Sequence, residues 1–201
     1  MLDLQSTKFV PSIIITTLIA LIREYTNRND TVKVVAPCRG AAYNIQGCTL
    51  HRCLSLLVNA TKLCQPLLDD TQAELSLQLE NLLMLIIDER SMLSSKLMAG
   101  AERNLRHCIY RQQNQTKLWG DIPVVLMFGE DYQLLPVKDN GSIQRYAKRQ
   151  GTITPHSTTA SRKAQLLKEI GNSLLIVDMT QTVFTLMENY RAMEDPVLVT
   201  F

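Results

Sequence analysis

The chain has 201 residues, 46% of them apolar and 20% charged, with a net charge of +2, ordinary values for a globular domain that can bury a core of its own. So slight a positive balance permits an anionic partner without arguing for one. The five cysteines include no CxxC pair and read as reduced thiols of an intracellular protein, which excludes a disulfide scaffold.

Taken in chain order, the apolar stretch from Phe9 to Ile22 is too short for the ~20 residues of a membrane span. Neither a basic cluster nor a small-residue cleavage site flanks it, so no membrane anchor and no secretion are expected. From Ser12 onward, Ile15, Leu18, Ile19 and Ile22 recur at helical spacing and predict a buried helix. "TVKVVAP" (31–37) is a β-rich run stopped by proline, hence a strand. "GAAYNI" predicts a short helix, and "TLHRCLSLLVNA" (49–60) a second one. "DDTQAELSLQLENL" (69–82) opens on capping residues and continues with helical periodicity. The run "LMLII", which ends at Asp88, predicts a strand, "SMLSSKLMAGAERNLRHCIYRQQN" a long amphipathic helix, and "IPVVLMF" (122–128) a third strand. Residues 138–159 read as a polar surface excursion, followed by a helix ending near Gly171 and a fourth strand, "SLLIV". Continuous apolar strands alternating with helices predict a parallel α/β sheet covered on both faces. Ligands of such sheets sit beyond the carboxyl ends of the strands, where Pro37, Asp88 and Gly129 are expected.

Four segments carry candidate chemistry. Asp88 and Glu89 end a buried strand, where one carboxylate can hold Mg²⁺ and its neighbour can orient a water; acids at a helix start are the ordinary reading. "VVLMFGEDYQLLPV" (124–137) ends a strand on Gly129 and places Gln133 where a neutral amide can sense a phosphate, or is simply a strand entering a polar turn. In "APCRGAAYNIQGCTLHR" (36–52), Arg39, Thr49, His51 and Arg52 are donors set among glycines, suited to a phosphodiester backbone or to a plain strand–loop–helix join. Arg191, in "LMENYRAMEDP", reaches a phosphate or pairs with Glu194 or Asp195 at the surface. Cys48, His51, Cys53 and His107 match no zinc spacing.

In this order and at these distances, "VVAPCRGAAYNIQGCTLHR", "LIIDERSM", "GEDYQLLPV" and "NYRAMED" resemble the Pif-family, RecD-like DNA helicases of superfamily one, over residues 13–196. The resemblance implies a RecA-like fold of the P-loop NTPase type and an ATP-driven, 5′-to-3′ motor on single-stranded or forked DNA. Its settings would be repair, recombination and telomere maintenance, in nucleus or mitochondrion. It implies ATP and Mg²⁺ as cofactors, with Asp88 and the Ser12 hydroxyl at the metal. Glu89 takes the place of the general base, Gln133 of the γ-phosphate sensor and Arg191 of a phosphate-contacting arginine. Thr49 and His51, flanked by Arg39 and Arg52, fall in the DNA-contacting segment. Residues 1–196 are expected to form one motor domain, with 197–201 opening a second.

One departure is severe. The family's phosphate loop, GxxxxGK[ST], has no counterpart here: "KFVPS" (8–12) stands where "GTGKS" belongs, with Val10 for the last glycine and Pro11 for the lysine. Proline has no N–H, and valine resists the backbone turn that aims amides at phosphates. Smaller departures are Cys38, the Arg39–Gly40 order, Arg90 after the acidic pair, Glu130 and Leu135. The expectation is a truncated or inactive helicase copy. The alternative is a non-catalytic DNA- or protein-binding remnant of a mobile-element helicase.

Overall fold

The computed structural model describes residues 10–57, 67–109, 118–129 and 182–184. The expected polar excursion, the helix ending near Gly171, the fourth apolar strand, Gln133 and Arg191 all lie outside these residues. The elements in order are α1 (Val10–Thr26), β1 (Val32–Ala36), α2 (Arg39–Asn44), β2 (Cys48–Thr49), α3 (Leu50–Cys53), α4 (Asp69–Leu79), β3 (Met84–Ile87), α5 (Ser95–Cys108) and β4 (Val124–Met127). Among the described residues the four strands form one sheet, ordered β2-β1-β3-β4, and every pairing is parallel. The expected parallel α/β architecture is therefore present.

The pleat divides the core into two. Val34, Ile86 and Leu126 stand in one cross-strand row, Val35, Ile87 and Met127 in the next, and alternate residues point to opposite faces. On one face Val32, Val34, Ala36, Met84 and Ile86 cluster with Ile15, Ile19 and Ile22 of α1 and with Ala42 of α2. On the other, Val35, Leu85 and Ile87 cluster with Leu50 and Leu54, with Leu75 and Leu79 of α4, and with Met98, Ala101 and Leu105 of α5. With both faces covered, β3 and β4 are apolar throughout and β1 apart from Lys33. That is why they were readable as almost unbroken runs.

Two predicted helices are corrected. The helix expected over 49–60 is, among the described residues, a two-residue strand and a four-residue turn of helix. Thr49 pairs with Ala36 in the sheet, then its Oγ1 caps the turn by accepting from the Arg52 amide at 3.4 Å. Ser55, at φ 50°, ends it in the left-handed region. The helix expected from Ser91 begins at Ser95, because Ser94 is extended and its hydroxyl accepts from the Leu97 amide at 3.2 Å. Before it comes a 3-10 turn, Arg90–Met92. In the other direction α1 starts earlier than expected, at Val10, and takes in Pro11 and Ser12.

Candidate functional site

Parallel pairing brings the carboxyl ends of the strands to one edge. Beyond β3 the ladder continues for one residue, the Asp88 amide donating to Val35 O at 2.9 Å, while on the other side the Phe128 amide donates to Ile87 O at 2.8 Å. The chain leaving β3 and the chain leaving β4 then stay together, since the Arg90 amide donates to Phe128 O at 2.9 Å. Pro37 follows β1, Asp88 follows β3 and Gly129 lies just past β4, so all three share the edge expected of them.

Asp88 continues the row of Met84 and Ile86, which places it on the side of the sheet that α1 covers. Its carboxyl is half-buried, and burial pushes its pKa up from the ordinary range, partly offset by the Glu89 amide hydrogen bond. Glu89 is in the left-handed region, φ 52° and ψ 46°, a conformation that costs a non-glycine residue about 1 kcal/mol or more and turns its side chain out of the strand's alternation. Two adjacent acids thus differ in backbone state, Asp88 continuing the sheet ladder and Glu89 leaving it in the left-handed region.

Gly129 and Arg90 close the far side of this edge. A Cβ on Gly129 would meet Arg90 Cγ at 2.6 Å and the Arg90 amide nitrogen at 2.8 Å, and its φ of 155° is one that L-residues rarely adopt. Sequence reading noted the arginine as a cation after the acids; its packing on a glycine 39 positions later had no local signal. Ser91, also missed, is 2% exposed, and its Oγ has no hydrogen-bond partner among the described residues.

The charge on Asp88 opposes folding, and the sign can be worked through. A carboxyl whose pKa is raised by folding adds stability below its unfolded pKa of about 3.9, and that contribution is lost as pH rises through the folded value. Asp88→Asn removes the ionisation while keeping the shape. The variant is expected to melt above the wild type at neutral pH, with the difference shrinking towards pH 3. Melting curves at both pH values check this; a wild type that is the more stable at pH 7 contradicts it.

On the α2 side, Arg39 opens that helix and is exposed, and Arg52 in α3 is exposed as well. His51 is half-buried and its pKa is lowered by desolvation, so its imidazole is held towards the neutral form. Thr49 uses its hydroxyl in the cap. These four residues thus cluster in sequence beside β1 and β2. Among the described residues, no three His, Cys, Asp or Glu side chains gather as a metal site, and no helix is long and apolar enough to cross a membrane.

The first turn of α1 belongs to this end too. A short connection, residues 27–31, joins the end of α1 to the start of β1, so the helix runs back along the sheet. At 1.5 Å per residue its 17 residues reach about 25 Å, carrying Val10–Ser12 to the carboxyl-end side. Ile15, one turn further in, is fully buried in the cluster with Ala36 and Ile86. Ser12 is therefore on the side of the sheet where Asp88 lies. The residue before it, Pro11, has no amide hydrogen to offer a phosphate.

A sequence model of the family described as PIF1-like helicase matches residues 10–153. Among solved structures, the chain is similar to Bacteroides sp Pif1 in complex with ADP-AlF4, at 27% identity over 66% of this chain and 29% of that one, TM-score 0.49. It is similar to Bacteroides Pif1 bound to ssDNA, at 27% identity, 66% and 30% coverage and TM-score 0.44. It is also similar to the Pif1 helicase of Candida albicans, at 25% identity, 63% and 28% coverage and TM-score 0.47. The chain spans less than a third of the length of each. No curated protein matches it.

Proposed function

Since the chain belongs to the PIF1-like helicase family, we propose that it is the first, DNA-contacting motor domain of a 5′-to-3′ DNA helicase whose grip on ATP has been lost. In that reading it binds single-stranded or forked DNA and does not by itself turn over nucleotide. The observation that carries the reading is the meeting, at one end of the sheet, of a half-buried Asp88 with a helix whose first turn contains Pro11. The first is what a motor keeps for a hard cation. The second cannot serve as the amide cradle and lysine that hold phosphates.

The donor set thus does not fit magnesium–ATP. Asp88 offers an oxygen ligand, and the Ser12 hydroxyl is the second oxygen that the motif resemblance implies. The charge-neutralising lysine and the glycine-borne amides are replaced by Pro11 and Val10. No hydrolytic step can be written through these residues. Glu89 as general base, Gln133 as phosphate sensor and Arg191 as phosphate contact are assigned from the family motifs alone. The work served would be that of the whole helicase, in repair, recombination or telomere maintenance. The second reading, a non-catalytic DNA-binding remnant of a mobile-element helicase, is favoured by the same Pro11.

Purified chain, magnesium–ATP and a single-stranded oligonucleotide test the reading. Phosphate release is expected at the level of buffer, and turnover that disappears in Glu89→Gln would overturn it. DNA binding is expected to weaken steeply with salt, because phosphate contacts release counterions. Arg39→Ala and Arg52→Ala should each lower the slope of log K against log salt by about 0.7, the value of one contact on a single strand. A slope that does not change in either variant removes these residues from the DNA surface.

A further inference from the structure

Residues 31–68 include Lys33, Arg39, Arg52 and Lys62 and none of the chain's 19 acidic residues. Within that run α2 buries Ala42 against the sheet at 4% exposure, and Ile45, just past the helix, is buried at 2%. The same helical spacing turns Arg39 and Tyr43 outward, and four positions apart they are neighbours on one face. Tyr43 is 85% exposed. The backbone beneath its ring is fixed. The Gly47 amide donates to Ala42 O at 2.8 Å and the Gln46 amide to Tyr43 O at 3.1 Å, with Gln46 making the left-handed turn at φ 51°. Gly47 then lies so close to β1 that a Cβ there would meet Val34 O at 2.5 Å.

We propose that Tyr43 is a stacking platform for a base of single-stranded DNA, with Arg39 on a neighbouring phosphate. The inference rests on the reading under Proposed function and adds to it a contact with the bases themselves. Guanidinium groups alone would hold a strand by its phosphates, whatever its bases do. A flat apolar ring beside a cation, in a stretch with no carboxylate, is complementary to a polyanion that carries flat apolar faces. Single-stranded DNA is such a polyanion, because its bases are free to stack on an aromatic side chain. Every base has a face of this kind, so the contact tolerates any sequence. With the backbone already fixed, only the two side-chain torsions of Tyr43 remain to be ordered, which keeps the entropy lost on stacking small.

The ring and the charge have separable effects. Tyr43→Ala is expected to lower the affinity for a strand that carries bases by about 5- to 140-fold, the worth of one stacked base. Tyr43→Phe keeps the ring and should bind as the wild type does. Arg39→Ala should weaken binding whether bases are present or not, because its partner is a phosphate. Tyr43 and Arg39 are both exposed, so none of these substitutions should move the melting temperature appreciably.

The test titrates the whole chain, as wild type and as each variant, into a fluorescently labelled oligothymidylate and into an abasic strand of equal length, which keeps the phosphates and lacks the bases. Fluorescence anisotropy reads both affinities. The wild type is expected to prefer the strand with bases, Tyr43→Ala to lose that preference while binding the abasic strand unchanged, and Tyr43→Phe to restore it. Tyr43→Ala binding both strands as the wild type does, or weakening on both alike, overturns the stack. So does Tyr43→Phe behaving as the alanine variant, since the hydroxyl and not the ring would then make the contact. Arg39→Ala with both affinities unchanged removes the phosphate partner. A wild type that binds the two strands equally leaves the DNA reading standing and removes the platform. If the wild type binds neither strand, the DNA reading itself fails and the platform with it.

Discussion

Replacing Lys8, Phe9, Val10 and Pro11 together (K8G/F9T/V10G/P11K) is expected to raise the affinity for magnesium–ATP by roughly 30- to 20,000-fold. The lysine and the restored amides each supply a charge-assisted hydrogen bond worth about 1–3 kcal/mol net. Two such terms make about 2–6 kcal/mol, and each 1.4 kcal/mol is tenfold. Two described features lie on the side concerned. Asp88 is at the end of β3 on the face that α1 covers, and the backbone from Val10 onward is already helical, with its positive dipole end at that side. Isothermal calorimetry of the variant against the wild type measures the gain. If the variant remains as weak as the wild type while keeping its melting temperature, the loss lies elsewhere than in these four residues.

The second large effect concerns the fold. Ile86→Ala is expected to cost about 2–5 kcal/mol, since a buried large-to-small change loses transfer energy and leaves a cavity. Ile86 is 0% exposed and central: it sits between Val34 and Leu126 in its row, under Ile15 and Ile19 of α1. A domain's whole stability is about 5–15 kcal/mol, so the variant should lose from about an eighth of it to nearly all of it. Urea unfolding reads this as a lower midpoint with the slope unchanged. Ile86→Val, which removes one methyl, should cost about 0.5–1.5 kcal/mol. A loss below about 1 kcal/mol for the alanine variant would mean that α1 does not seal this face.

What could be read from the amino acids depended on the length of the signal. β1, β3 and β4 were legible because strands covered on both faces are largely apolar, and Val32–Ala36, Met84–Ile87 and Val124–Met127 are apolar throughout but for Lys33. β2 was not legible. Cys48 and Thr49 make a strand of two residues, and no periodicity exists at that length; their pairing with Val35 and Ala36 is purely tertiary. Met92 and Leu93 fitted the helical spacing of the residues after them, yet Ser94 claims the Leu97 amide and starts α5 later.

The candidate site divides in the same way. Its location beyond the strand ends followed from topology, and Asp88, Glu89 and Gly129 lie there. Its contacts did not follow. That Arg90 packs on Gly129 depends on how separate segments come together. The replacement of the phosphate loop by "KFVPS" was visible at once, because glycine, lysine and proline have consequences that no packing alters.

The central claim is that this end of the sheet no longer grips a triphosphate, whatever else of the motor survives. Titrating the wild-type chain with magnesium–ATP by isothermal calorimetry tests it most directly. No saturable heat is expected up to about 1 mM nucleotide, the range where binding free energy falls to about 4 kcal/mol. A saturable isotherm with a Kd of about 1 μM, equivalent to about 8 kcal/mol, abolished by Asp88→Ala, would contradict it.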